Sequence, residues 1–274
     1  ETHIYSPGYK KSEFDEICRY ADTIVFNSLN QFATFKGVVG SDTEISLRLN
    51  PEHVEVKNKL YSPCVPGSRF GILSKDLVGV NLDRVTGVHI HALCQNDEHS
   101  LERLMQKTEE KFVDILTLKQ ITHVNFGGGH MVSKQGYDQQ KLCDLINQFQ
   151  DKYNVQVILE PGESVVYDAG YLITEVLDIV HNRIDIAICD SSGTAHMPDV
   201  LEMPYTPYIL GTGEGPNYPY HYRLGGCTCL SGDVIGEYQF KTPLRVGQKL
   251  IFTDMAQYTM VKNTLFNVQD NSWI

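Results

Sequence analysis

Six short apolar runs, each closing on polar, glycine or proline residues, recur at intervals of about 20 to 40 residues and constrain the fold more than any other feature. They occupy 4–6, 23–27, 45–50, 88–91, 123–127 and 156–160. Most of the intervening segments carry helical spacing, clearest from Leu101 to Met105 and from Leu142 to Phe149. Strand then helix, repeated, predicts a parallel sheet with helical crossovers. The residues able to do chemistry sit just after the strands: Asn27, Ser28, Asn50, His89, His91, Gly127 and Glu160. An α/β fold of the (β/α)8, TIM-like barrel type places its active site at that edge. Six units are two short of eight, so the expected fold is such a barrel lacking its first strands. An open doubly wound sheet is the alternative. The opening Glu1-Thr-His-Ile-Tyr-Ser-Pro7 runs a strand straight into a turn with no initiator Met, which points to further chain upstream.

After Ile186 the texture changes. Pro198, Pro204, Pro207, Pro216 and Pro219 crowd a stretch rich in Gly and Tyr, and strand-like runs follow at 233–240, 249–253 and 259–262. The expected division is a barrel domain over 1–186 and an all-β domain over 187–274.

Lys plus Arg total 23 against 34 Asp plus Glu, a net charge of −11, which disfavours a nucleic-acid partner and suits a cationic one. The same acidity is common in cytoplasmic enzymes for solubility alone. No apolar run approaches the roughly 18–20 residues of a membrane span, and nothing resembles a signal peptide. The seven cysteines are scattered, with Cys227 and Cys229 the only close pair. Neither a zinc site nor a disulfide framework is expected, and a reducing compartment is.

His123-Val-Asn-Phe-Gly-Gly-Gly-His130 carries a strand into three glycines. The N–H groups of Gly127, Gly128 and Gly129 can converge on a phosphate with no side chain in the way; a tight, closely packed turn is the plainer alternative. Glu160, followed by Pro161 and Gly162, is a carboxylate fixed at a strand end, fit to hold a proton on a heterocycle nitrogen or simply to make a turn. His89 and His91 share a strand face. They suit a metal pair, an imidazole stacked on an aromatic cofactor or, for His89, a satisfied polar position. The loop 225–233 gathers Cys227, Cys229 and Asp233, although buried structural cysteine is the usual case. Tyr258 is a phosphate donor or a core tyrosine.

Taken in order, LRLNP at 47–51, SRFGI at 68–72, HIHAL at 89–93, NFGGGH at 125–130, LEPGE at 159–163, CTCLSGD at 227–233 and DMAQYT at 254–259 form a series. It resembles the fold-type III, alanine racemase-like pyridoxal-phosphate decarboxylases, the group holding ornithine/arginine and diaminopimelate decarboxylases, across nearly the whole chain. HIHALC, the block from Asp190 to Tyr205, GDVIG at 232–236 and Glu163 in place of the usual arginine lean to the subfamily acting on carboxylated polyamines.

The resemblance implies pyridoxal 5'-phosphate as cofactor and no metal. Glu160 would pair with the pyridinium nitrogen, His91 would stack on the ring, Gly127, Gly128 and Gly129 would hold the phosphate, and Tyr258 would add a hydroxyl donor. Cys229 matches the thiol that returns a proton to carbon after CO2 leaves. In the family it reaches the site from the partner subunit, which implies a homodimer with shared active sites. The substrate implied is carboxynorspermidine or carboxyspermidine, on the route to spermidine. Buried ammonium groups need anions, which nominates Glu163 and Asp199 for the substrate; a helix-start carboxylate and a solvated turn residue are the plain readings. Three departures stand out. No Lys occupies the context of the family's cofactor-bonding lysine, Leu93-Cys94 replace the phosphate-contacting Gly-Ser, and Leu230 replaces an acidic residue that ornithine and diaminopimelate enzymes carry. The competing expectations are an ornithine/arginine or diaminopimelate decarboxylase, and a non-catalytic polyamine-pathway regulator.

Overall fold

The computed structural model describes residues 1–56 and 59–268, which divide into two compact units at Val165/Val166. In the first unit every apolar run becomes a strand: β1 (His3–Ser6), β2 (Thr23–Phe26), β3 (Glu44–Arg48), β4 (Val85–His89), β5 (His123–Asn125) and β6 (Gln156–Ile158). Each pairs in parallel with the next, so spatial order equals chain order. A doubly wound sheet reverses its order partway; this one does not. The sheet is the arc of a barrel wall. Among the described residues it has six strands rather than a closed ring.

The helices are α1 (Lys11–Tyr20), α2 (Leu29–Phe35), α3 (Glu98–Leu116), α4 (Gln139–Tyr153) and the single turn α5 (Gly162–Val165). α3 starts where the Asp97 carboxylate accepts the Ser100 N–H at 2.9 Å, and Asp138 does the same for α4 through Lys141. Leu101, Leu104, Met105, Phe112 and Ile115 are buried along α3 at the three- and four-residue spacing that made the segment legible.

Register decides what the strands present. Leu47, Val88, Val124 and Val157 form one row across β3 to β6, and Arg48, His89 and Asn125 form the next. Successive residues point to opposite faces, so the apolar row joins the aromatic core of Phe14, Phe32, Phe112 and Phe149 while the polar row faces the other way. Behind the polar row lie Ser46, Gly87 and His123. The Ser46 hydroxyl meets His123 Nε2 at 2.9 Å, and a Cβ on Gly87 would stand 1.9 Å from that nitrogen. Gly87 makes room for the imidazole.

The second unit contains β7 (Tyr171–Asn182), β8 (Ile184–Cys189), β9 (Tyr220–Gly225), β10 (Val234–Phe240) and β11 (Lys249–Thr253), with the helical turns α6 (Asp199–Glu202) and α7 (Tyr258–Val261). They form a five-stranded sheet in the order β10-β9-β8-β7-β11, antiparallel except for the pair β8–β9. Its core holds Val176, Cys189, Met197, Leu224, Ile235 and Phe252. Two corrections follow. The boundary lies at 165/166 rather than 186, because β7 is laddered to both β8 and β11. The run 259–262 is not a strand: 259–261 lie in α7 and Lys262 caps its end.

Candidate active site

The polar row ends at the strand edge from which the functional loops leave. His91 follows β4, and Gly127, Gly128 and Gly129 follow β5. Gly128 donates its N–H to His91 Nδ1 at 3.2 Å, and Gly127 donates to Asn125 Oδ1 at 2.8 Å. Burial first, then the neighbouring His89 and Arg48, hold the His91 imidazole down at about 4, so the ring is neutral. The glycines are sterically required. A Cβ at Gly127 would lie 2.6 Å from His91 Nδ1, one at Gly128 would lie 2.7 Å from the Glu160 carbonyl oxygen, and one at Gly129 would lie 2.3 Å from the Leu93 carbonyl. Gly127 and Gly129 also adopt φ of +65° and +88°. Two of the three glycine N–H groups are thus engaged within the loop. Among the described residues, the N–H groups of Gly129 and His130 donate to no protein acceptor.

Glu160 follows β6 and is tied to the same loop, its N–H donating to the Gly127 carbonyl at 2.8 Å. Its Oε1 accepts from Asn125 Nδ2 at 2.7 Å, and its Oε2 lies 3.6 Å from His89 Nε2. The His89 imidazole beside it, with the Asn125 amide adding to it, holds the carboxyl below the ordinary carboxylate range against partial burial. His89 itself is only 4% exposed, and neither ring nitrogen makes a hydrogen bond among the described residues. Donor atoms of His89, His91 and Glu160 fall within 4.8 Å of one another, so the histidine pair gains a third potential metal ligand that the sequence alone did not supply.

Arg48 is a further buried group at this edge, 5% exposed. Its guanidinium lies between the rings of Tyr5 and Phe70, 4.6 and 4.4 Å from their centroids, and donates to the His91 carbonyl at 3.3 Å. No ion pair to Arg48 occurs among the described residues. Arg48 and Asn125 were not singled out from the sequence, whereas His89 was, as one of the histidine pair. The signal that finds the first two is the register row they share with His89.

Glu163 lies in α5, where its Oε1 accepts from Gln95 Nε2 at 2.6 Å. It is held by a side chain across the loop, which a helix-start role alone does not require. Cys229, Tyr258 and Asp199 belong to the second unit. Cys227 and Cys229 are both exposed, so burial does not separate them. Their loop is organised by Asp233, only 4% exposed, which accepts from Ser192 Oγ at 2.8 Å, Thr228 Oγ1 at 2.6 Å and the Thr194 N–H at 3.4 Å. Tyr258 opens α7 and is 58% exposed, so the core-tyrosine reading fails. Asp199 is partly buried and ion-paired with Lys262 Nζ at 2.5 Å, and Glu202 binds the same ammonium.

Residues 60–256 match the family described as pyridoxal-dependent decarboxylase, C-terminal sheet domain. A carboxynorspermidine/carboxyspermidine decarboxylase of Campylobacter jejuni is 44% identical over 97% of this chain and 72% of its own length. A carboxyaminopropylagmatine decarboxylase of Synechocystis is 40% identical over 97% of this chain and 69% of its own. The crystal structure of carboxynorspermidine decarboxylase complexed with norspermidine from Campylobacter jejuni superposes with a TM-score of 0.88 at 42% identity, covering 98% of this chain and 73% of that one. The chain belongs to the pyridoxal-dependent decarboxylases. It is a carboxy-lyase that works with pyridoxal 5'-phosphate.

The residues fit that cofactor. An ionised carboxylate answers a protonated ring nitrogen, a neutral imidazole offers a flat face, and a loop stripped of Cβ atoms leaves two N–H donors over for a phosphate.

Proposed function

We propose that this chain removes CO2 from a carboxylated polyamine, carboxynorspermidine or carboxyspermidine, within a complete (β/α)8 barrel-plus-sheet enzyme acting as a cytoplasmic homodimer with shared active sites. The observation that carries the reading is Glu160, ionised at a strand end and braced by Asn125 against the glycine loop. The chemistry the cofactor supplies is an electron sink for the pair that CO2 leaves on carbon. An anion against the ring nitrogen keeps that nitrogen protonated and the sink at full strength. His91, neutral and fixed by Gly128, stacks on the ring. Gly129 and His130 give backbone N–H groups to the phosphate, and Tyr258 adds its hydroxyl. Cys229 delivers the proton to carbon, a task suited to a thiol in a water-poor site. Glu163 and Asp199 meet the substrate's ammonium groups. Asp199 is already ion-paired with the Lys262 ammonium, a cation of the same chemical class.

The names of the relatives support a substrate built from an amino acid and an amine chain. The test is a decarboxylation assay on carboxynorspermidine, carboxyspermidine, carboxyaminopropylagmatine, ornithine, arginine and meso-diaminopimelate, using wild type and Glu163→Gln. Activity confined to ornithine, arginine or diaminopimelate overturns the substrate class, and no turnover on any of them favours a non-catalytic regulator. For Glu163→Gln, a raised KM with little change in kcat is expected on the carboxy-triamines.

A further inference from the structure

We propose that Asn125 is the positioning residue that locks the Glu160 carboxylate to the phosphate end of the site, with His89 bracing the second oxygen. The inference rests on the reading that Glu160 faces the cofactor's ring nitrogen.

The orientation of the Asn125 amide follows from its partners. The Gly127 N–H can only donate, so the side-chain atom 2.8 Å from it is the amide oxygen. The amide nitrogen is therefore the atom 2.7 Å from Glu160 Oε1. Asn125 is 3% exposed, and its backbone is paired on both sides, with His89 across β4 and with Ile158 across β6. Neither the residue nor its amide can turn without breaking both bonds. Glu160 meets an N–H on one oxygen and the buried His89 imidazole 3.6 Å from the other.

This arrangement selects a charge state as well as a position. A protonated Oε1 would present O–H to N–H, donor to donor, whereas the anion accepts a charge-assisted bond. The same amide joins the loop that receives the phosphate to the carboxylate that receives the ring nitrogen, so the two ends of the cofactor site are set by one side chain. An aspartate at 125 would put two carboxylates at hydrogen-bond distance, where like charges cannot both ionise and a proton must be shared.

The test uses the full chain stripped of cofactor and titrated with pyridoxal 5'-phosphate and with an analogue whose ring nitrogen is replaced by C–H. Binding is followed by fluorescence, and the ratio of the two affinities is the readout. Wild type should prefer the natural ring, and Asn125→Asp should cut that preference by about tenfold or more, since a hydrogen bond to a charged group is at stake. Affinity for the C–H analogue should change far less. Asn125→Ser should lose part of the preference, and combining Asn125→Asp with Glu160→Gln should lose no more than Glu160→Gln alone. Equal loss for both ligands, or an unchanged ratio in either folded variant, overturns the proposal. A wild type that does not discriminate between the ligands instead overturns the placement of Glu160 against the ring nitrogen.

Discussion

Gly128 donates its N–H to Nδ1 of His91 at 3.2 Å, which leaves the proton of the neutral imidazole on Nε2. A backbone donor on one ring nitrogen fixes the tautomer and the plane of the ring together. With burial holding the ring down at about 4, His91 does not change charge near neutrality. Cofactor affinity should show no step assignable to His91 between pH 5.5 and pH 8. An imidazole resonance of His91 titrating near 6.5 would contradict this.

The same burial sets the acid side of the stability curve. His91 binds its proton near 4 in the fold and near 6.5 in the open chain, and His89, His123 and His130 are lowered by burial in the same direction. Between those values the unfolded chain holds more protons, so stability is full above about 6.5 and declines as pH falls towards 4. For His91 the slope is about 1.4 kcal/mol per pH unit within that window. Urea unfolding at a series of pH values measures it; a flat profile from pH 7 to pH 5 would refute it.

Gly129→Ala should cost about 2–5 kcal/mol, from a side chain at positive φ and a Cβ forced against the Leu93 backbone. Gly136 adopts the same φ of +88° with nothing within 4 Å of its Cβ, so Gly136→Ala should be milder because only strain operates. Denaturant midpoints of the two variants compare clash with strain directly.

Cys229→Ala should slow turnover severely, by about a hundredfold or more as expected for loss of a proton donor, while the bound-cofactor absorbance stays intact. Cys227→Ala should be near wild type. The reverse pattern would move the proton donor by two positions in the loop.

Asp199→Asn should raise KM for a carboxy-triamine several-fold with kcat little altered, the pattern of lost ground-state binding. The ion pair with Lys262, itself 38% exposed, should contribute no more than about 1 kcal/mol to stability. A large fall in stability with unchanged KM would make Asp199 a structural residue only.

The first unit was legible because each strand is a short apolar run closed by residues that cannot continue it, and because α3 and α4 carry their burial period in sequence. The β7–β8 hairpin was not. It turns at Asn182-Arg183, where Arg183 adopts a left-handed φ of +63° without the glycine that usually announces such a turn. Glu160, His91 and the glycines could be named from their motifs. Asn125 lay inside a quoted motif yet went unnamed, because its task depends on a carboxylate 35 residues later in the chain. Arg48 was hidden likewise, since only strand register places it in one row with His89.

Among the described residues, every donor to the Asp233 carboxylate is a hydroxyl or a backbone N–H, with no cation in the set. Dissolved ions screen attraction between full charges at a distance and hardly touch short hydrogen bonds from neutral donors to a buried carboxylate. Raising ionic strength should therefore weaken capture of a cationic substrate and loosen surface pairs such as Lys262–Glu202 while leaving the shape of the thiol loop alone. The rate at which a neutral alkylating reagent consumes Cys229 should then be the same in dilute buffer and in strong brine, even where the Michaelis constant climbs.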